Sequence, residues 1–196
     1  MLDVINTIII GRMYMKIILL LSTLSILLSG CSAMSVEQCK TANWFNVGEK
    51  DGSAGHETRL DKYYSSCEKA NIVPNQNLYE KGYQKGLGYY CQPETIFREA
   101  LEGRGNFNVC PIEKRESLRS YYQVAHDYYQ ANSEFNRSQS DMNFYLKELE
   151  RKDISIKDRD NYTNRLSDLR SNSGRVQLSY QNAVHNLERF KAEHGL

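Results

Sequence analysis

Five cysteines carry most of the chemistry that this sequence offers, and the first of them follows an apolar run. Residues 17–28 are apolar over about twelve positions, which is too short for a membrane span of roughly twenty residues and typical of the h-region of a signal peptide. The run ends in LSGC at residues 28–31. These four residues match a bacterial lipobox, in which the thiol takes a diacylglycerol and the chain is cut before the cysteine. The sequence therefore predicts lipidation of Cys31.

The residue after this cysteine bears on the membrane that the lipid would enter. An aspartate at that position favours retention at the inner membrane in enterobacteria, whereas this chain has Ser32. Acyl chains such as palmitate contribute about 0.8 kcal/mol per buried methylene and together make a permanent anchor. We therefore expect a lipid-anchored outer-membrane protein that faces the periplasm. Residues 1–30 would be its signal peptide, with translation starting at Met13 or Met15, since Asp3 lies where a positive n-region is expected.

The other four cysteines are candidates for disulfide bonds. They are Cys39, Cys67, Cys91 and Cys110. Beyond the inner membrane the environment is oxidising, so two disulfides are expected, with three possible connectivities. A four-cysteine zinc site is the rival interpretation, but the closely spaced cysteine pairs of such sites are absent. We expect no metal and no cofactor.

Two segments of the N-terminal half share a glycine pattern. WFNVGEKDG (44–52) and LYEKGYQKG (78–86) each have a large residue, an aromatic residue and then glycine at the fifth and ninth positions. A glycine costs a helix interior about 1 kcal/mol, so the close approach of two helices is the expected reason, and loops are the alternative. The predicted helical faces are Trp44, Gly48 and Gly52 in the first segment, and Leu78, Gly82 and Gly86 in the second.

The positions of the cysteines in three predicted helices favour one connectivity. The helices span about 36–53, 57–71 and 76–91, and an irregular stretch follows them. In an up-down-up arrangement Cys39 and Cys67 lie at one end, while Cys91 lies about 20 Å away. Because a disulfide requires Cα atoms within about 7 Å, the predicted pairs are Cys39–Cys67 and Cys91–Cys110.

The same half resembles a family of proteobacterial outer-membrane lipoproteins known only as a domain of unknown function. The resemblance covers residues 39–111, and CP at residues 110–111 closes it. It implies an envelope lipoprotein and supplies no activity. The matching positions are Trp44, Gly48, Asp51, Gly52, Gly55, Cys67, Tyr79, Gly82, Gly86, Leu87, Tyr90 and Cys91.

The C-terminal half shows two heptad seams that predict an antiparallel helical hairpin, or coiled coil, over residues 112–196. The register places Ala125 opposite Ala183, and Ser155 with Asp158 forms a predicted capping box for the second arm. The first seam is Leu118, Tyr121, Ala125, Tyr128, Asn132, Phe135, Gln139, Met142, Leu146 and Leu149. The second seam is Tyr162, Leu166, Leu169, Ser173, Val176, Tyr180, Ala183, Leu187 and Phe190.

The predicted fold is thus all-α, with a small disulfide-stapled head (31–111) before the hairpin. The charges of the mature chain balance, which argues against a nucleic-acid partner. The sequence contains none of the common hydrolase, metalloprotease or phosphate-loop motifs, so no enzyme and no catalytic residue is expected. The leading hypothesis is an interaction or scaffold protein that binds an envelope protein or peptidoglycan. The alternative is a small-ligand or inhibitor module that uses a surface of Trp44, Tyr79 and Tyr83.

Overall fold

The structure is a computed structural model that describes residues 33–196, so the signal peptide and Cys31 lie outside the described residues. Within that range the chain forms seven α-helices and two short 3-10 helices, and no strand, which confirms the all-α prediction. The helices are α1 (Val36–Thr41), α2 (Trp44–Ser53), α3 (Leu60–Cys67), α4 (Gln76–Tyr90), α5 (Pro93–Leu101), α6 (Ile112–Glu150) and α7 (Ile156–His194). The 3-10 helices are Glu68–Ala70 and Phe107–Val109. No helix among residues 33–196 is long and apolar enough to cross a membrane.

The chain divides into two compact units. In the described part, one unit contains residues 33–42 and 61–74, and the other contains residues 43–60 and 75–196. The first unit is held by the disulfide Cys39–Cys67, whose Cα atoms are 5.5 Å apart. Both cysteines are buried. This is one of the two pairs that the sequence predicted.

The predicted first helix (36–53) is wrong in one respect, because it is two helices. Ala42 is extended, with φ −64° and ψ 124°. Asn43 then caps α2 by accepting a hydrogen bond from the Asn46 N–H at 3.1 Å. A side chain that satisfies one of the unpaired N–H groups of the first turn begins a new helix.

The stretch predicted to be irregular also contains a helix, α5. Pro93 stands at its start, where its fixed φ suits the first helical turn. Ile96, Phe97 and Ala100 are buried along one face. Phe97 and Ala100 join Ala125, Leu187 and Phe190 in a core cluster. The root of the hairpin is therefore a three-helix core formed by α5, α6 and α7.

The hairpin forms as predicted, from two helices of 39 residues each. Ser155 caps α7 by accepting the Asp158 N–H at 3.1 Å. Arg159 donates to the carbonyl oxygen of Leu149 at 3.0 Å and to that of Arg151 at 3.2 Å, so it binds carbonyl groups at the end of α6. These bonds join the two arms at the turn.

The second seam is confirmed, since all nine of its residues are buried or half-buried. The first seam is correct up to Phe135, whose ring stacks on that of Tyr180 with centroids 4.8 Å apart, and its later members Met142 and Leu149 are also half-buried. Beyond that point Gln139 and Leu146 are exposed, and the residues just before them face the other arm instead. Those inward residues are Ser138 and Tyr145, with Ala131 one heptad earlier. The register that pairs Ala125 with Ala183 also pairs Leu146 with Tyr162, but Tyr145 makes that contact instead, with ring centroids 5.5 Å apart.

Candidate functional site

The four predicted glycines form a crossing between α2 and α4. A Cβ atom on Gly48 would overlap the carbonyl oxygen of Tyr79 and lie 2.9 Å from the Tyr83 nitrogen. A Cβ on Gly82 would overlap the carbonyl oxygen of Phe45. Gly52 and Gly86 meet the opposite backbone in the same way. The glycines are therefore required for backbone-to-backbone packing, as the spacing predicted.

A buried carboxylate lies beside this crossing. Asp51 is only 3% exposed and accepts a hydrogen bond from the Tyr79 hydroxyl at 2.8 Å. The Arg59 N–H donates to the same hydroxyl at 3.0 Å, and the Arg59 guanidinium lies 3.7 Å from Asp51. His56 Nδ1 is also 3.7 Å from the carboxylate. Hydrogen bonds and a nearby cation offset the cost of burying a charge, so Asp51 joins the loop at 56–59 to α2 and α4.

The aromatic surface that the sequence suggested for ligand binding is wrong as a surface. Trp44, Tyr79 and Tyr83 are 7%, 1% and 7% exposed. The cause is the glycine crossing, which brings the helices close enough to enclose the side chains beside it. Tyr83 also borders a cavity. These aromatic residues therefore belong to the core of their unit.

Tyr83 connects this core to the loop before α3. Its hydroxyl donates to the carbonyl oxygen of His56 at 2.7 Å. Burial raises the pKa of the Tyr83 phenol, and the carboxylates of Asp51 and Glu57 raise it further. The neutral phenol is therefore the form that the fold stabilises, and it acts as a hydrogen-bond donor.

An open pocket of about 520 Å³ adjoins Tyr83. It is lined by Glu57, Thr58, Tyr83, Gln84, Leu87, Asn108, Val109, Cys110, Pro111 and Arg115. The disulfide Cys91–Cys110, with Cα atoms 5.7 Å apart, fixes one wall to the end of α4. This is the second pair that the sequence predicted. The same wall is held by the Asn106 N–H, which donates to the Tyr90 hydroxyl at 2.8 Å.

A second pocket, of about 310 Å³, lies between the arms of the hairpin. Ser138 forms part of its floor, where a larger seam residue would fill the space. Its charged lining residues balance, with acidic Glu134, Asp141 and Asp168 and basic Arg137, Arg165 and Arg175. Arg175 pairs with Glu134 across the arms at 3.3 Å. We call this pocket the hairpin groove.

Two histidines of the hairpin, His126 and His185, differ in their surroundings. His126 stacks on Tyr122 at 5.0 Å, and its Nδ1 is buried without a hydrogen-bond partner among residues 33–196. His185 is exposed. Across the described residues, no group of three or more histidine, cysteine or acidic side chains is arranged to hold a metal ion. The expectation from the sequence that this protein is not an enzyme remains a prediction.

Sequence reasoning named Tyr83, Leu87, Cys110 and Pro111 without placing them together, and it missed the remaining lining of the Tyr83 pocket. Glu57, Asn108 and Arg115 belong to separate segments that converge on α4 through a hydrogen bond and a disulfide. No spacing in the sequence marks them as neighbours.

The comparisons with known proteins show one family similarity, and it comes without an activity. No curated protein matches the chain, and no solved structure matches it. A family model described as "Protein of unknown function (DUF2799)" matches residues 43–127, from the start of the glycine crossing into the hairpin. The predicted resemblance to a family of unknown function is thereby confirmed. Over residues 43–127, the chain is similar to the DUF2799 family, whose function is unknown.

Proposed function

We propose that this protein is a lipid-anchored, non-catalytic interaction protein of the outer membrane, and that its hairpin binds another envelope protein. The proposed anchor is the lipidated Cys31. The observation that supports the binding role most directly is the hairpin groove, a cavity between two long arms with an uncovered charged lining. A helical arm of 39 residues extends about 58 Å, which is a long surface for a chain of this size.

The far end of the hairpin supports the same role. Phe144, Leu146 and Ile156 are 51%, 41% and 82% exposed. At the other end of the hairpin, Leu187 and Phe190 are buried in the core cluster, while Ile112 is 78% exposed. Exposed apolar side chains are common at sites where proteins interact. The distal half of the hairpin therefore presents both apolar and charged contacts to a partner.

The charges of the groove favour a polypeptide as the partner over an anionic polymer. Three arginines and three acidic residues line it, so its formal charge is zero. An anionic glycan would meet the carboxylates of Glu134, Asp141 and Asp168 as well as the arginines. A protein segment with side chains of both signs can pair with both sets, which gives specificity through charge complementarity.

Site-specific photocrosslinking of the full chain in its native host tests this role. A photoreactive residue at Asn172, in the groove, should give one discrete adduct with another envelope protein. The same residue at Ser167, on the outward face of α7, should give none. The charge reversal Arg165→Glu should abolish the Asn172 adduct while leaving the melting temperature unchanged. Equal adducts from Asn172 and Ser167, or no adduct at Asn172, would contradict the proposal.

A further inference from the structure

The Tyr83 pocket has two walls that are both fixed to α4. The Tyr83 hydroxyl holds the segment at 56–58 through the carbonyl oxygen of His56, at 2.7 Å. The disulfide Cys91–Cys110 holds the segment at 108–111. The volume of the Tyr83 pocket, about 520 Å³, falls within the range of small-molecule sites. Because the walls are fixed in advance, a ligand would bind with little loss of conformational entropy.

Arg115 gives this pocket a positioned cation. Its Nε donates to the carbonyl oxygen of Cys110 at 2.8 Å, which sets the direction of the guanidinium group. Among residues 33–196 this is its one polar contact, so both terminal nitrogens are without a partner. A guanidinium binds a carboxylate through two parallel hydrogen bonds, and such charge-assisted pairs are about twice as strong as neutral ones.

The other lining residues have the chemistry of a peptide-binding site. Glu57 forms no ion pair within the described part of the chain and can receive an ammonium group. The Gln84 and Asn108 amides and the Thr58 hydroxyl can donate to and accept from a peptide group. Apolar contacts for a small side chain come from Leu87, Val109 and Pro111. A polyphosphate would need more cations than the single guanidinium here.

We infer that the Tyr83 pocket binds an amino acid or short peptide with a free α-carboxylate, which Arg115 holds while Glu57 receives the amino group. This function is separate from partner binding by the hairpin, and either can fail without the other. The negative end of the ligand lies at the start of α6, where the helix dipole adds partial positive charge.

Titration calorimetry of the full chain in detergent tests the ligand chemistry. The probes are dialanine, its C-terminal amide and its N-acetyl form, each in the L,L and D,D configurations. Dialanine of one configuration should bind. Its amide should bind at least about tenfold more weakly, because the amide lacks the carboxylate and so loses the charge-assisted pair with Arg115. The N-acetyl form should lose less affinity than the amide, because Glu57 is exposed and its charge is screened by solvent. The inference would be overturned if neither configuration bound at ligand concentrations up to about 10 mM. Equal binding of the acid and the amide would also overturn it.

Two variants test the residue assignment. Arg115→Gln should reduce dialanine binding to the level of the amide, whereas Arg119→Gln should leave it unchanged. Arg119 is the matched control, because it lies one turn further along α6, pairs with Glu116 at 3.3 Å and does not line the pocket. Asn108→Asp should weaken binding by adding a negative charge at an exposed pocket residue without removing any bond of Arg115. Retained binding in Arg115→Gln, or in Asn108→Asp with the fold intact by circular dichroism, would overturn the assignment.

Discussion

The glycine crossing makes a sharp prediction about two alanine substitutions on one helix. Gly82→Ala places a methyl group against the backbone of α2, overlapping the Phe45 carbonyl oxygen and lying 2.9 Å from the Glu49 nitrogen. Gly88→Ala, less than two turns further along α4, places the same group where no atom lies within 4 Å. The two changes add the same side chain to the same helix, so their difference isolates the packing at the crossing.

The expected magnitude comes from the nature of the neighbours. A backbone carbonyl cannot rotate away as a side chain can, so α2 and α4 would have to separate by on the order of 1 Å, which also opens the crossing at the other glycines. Overpacking of this kind costs about 3 kcal/mol, against a gain of about 1 kcal/mol in helix propensity. We expect Gly82→Ala to lower the free energy of unfolding by at least about 2 kcal/mol, and Gly88→Ala to raise it by up to about 1 kcal/mol.

Thermal unfolding of the oxidised protein, followed by far-ultraviolet circular dichroism, measures both changes. For a chain of this length each kcal/mol shifts the midpoint by roughly 2–4 °C. Gly82→Ala should therefore lower the midpoint by roughly 4–8 °C or more, and Gly88→Ala should raise it slightly. A Gly82→Ala protein that melts with or above the wild type would refute the backbone contact between α2 and α4.

Two further predictions concern the hairpin register and the buried phenols. The double variant Ala125→Cys/Ala183→Cys should form a disulfide within one chain under mild oxidation. The control Ala125→Cys/Val176→Cys should not, because its two cysteines are out of step by about 10 Å along the helices. Crosslinks that form only between chains would contradict the intramolecular register. Burial raises the pKa of Tyr83 and of Tyr90. The folded chain therefore holds these protons more tightly than the unfolded chain, and the stability that they contribute is intact below about pH 10 and declines as pH rises through the raised values. Tyr83→Phe should make this alkaline decline shallower, as measured by urea unfolding at a series of pH values, and an unchanged slope would show that the Tyr83 proton is not linked to folding.

The parts of the fold that the sequence predicted rest on local periodicity. The four glycines and the second seam are spaced at helical intervals, and a helix buries such a face whatever it packs against. Leu78, which was predicted on the face of Gly82 and Gly86, is instead 43% exposed. The second seam is the clearest example, since all its members from Tyr162 to Phe190 are at least half-buried. The disulfide pairs follow from the helix ends at which Cys39, Cys67 and Cys91 were predicted to lie.

The two errors in the helix boundaries had signals that were available in the chain. Asn43 is a favoured N-cap residue, and its cap on Asn46 ends the continuity of the predicted first helix. Pro93 is favoured at the first turn of a helix, and the apolar residues that follow it in α5 have helical spacing.

The seam error and the missed pocket have a different origin. A strict alternation of three and four steps placed Gln139 on the seam, although the smaller Ser138 beside it can be buried at lower cost. The choice between these neighbours depends on the opposite arm. The pocket lining depends on contacts between distant segments, such as the disulfide that brings Cys110 and Arg115 to α4. Neither can be read from one segment alone.

The measurement that tests the proposed function most directly is the intact mass of the protein recovered from fractionated membranes of its native host. A lipid-anchored outer-membrane protein should appear in the outer-membrane fraction as a chain that begins at Cys31 and carries the added mass of a diacylglycerol and an amide-linked acyl group. Cys31→Ser should leave a longer, unmodified chain at the inner membrane. A wild-type chain without acyl mass, or a Cys31→Ser chain that is still cut and still found in the outer membrane, would contradict the lipid anchor on which the proposed function depends.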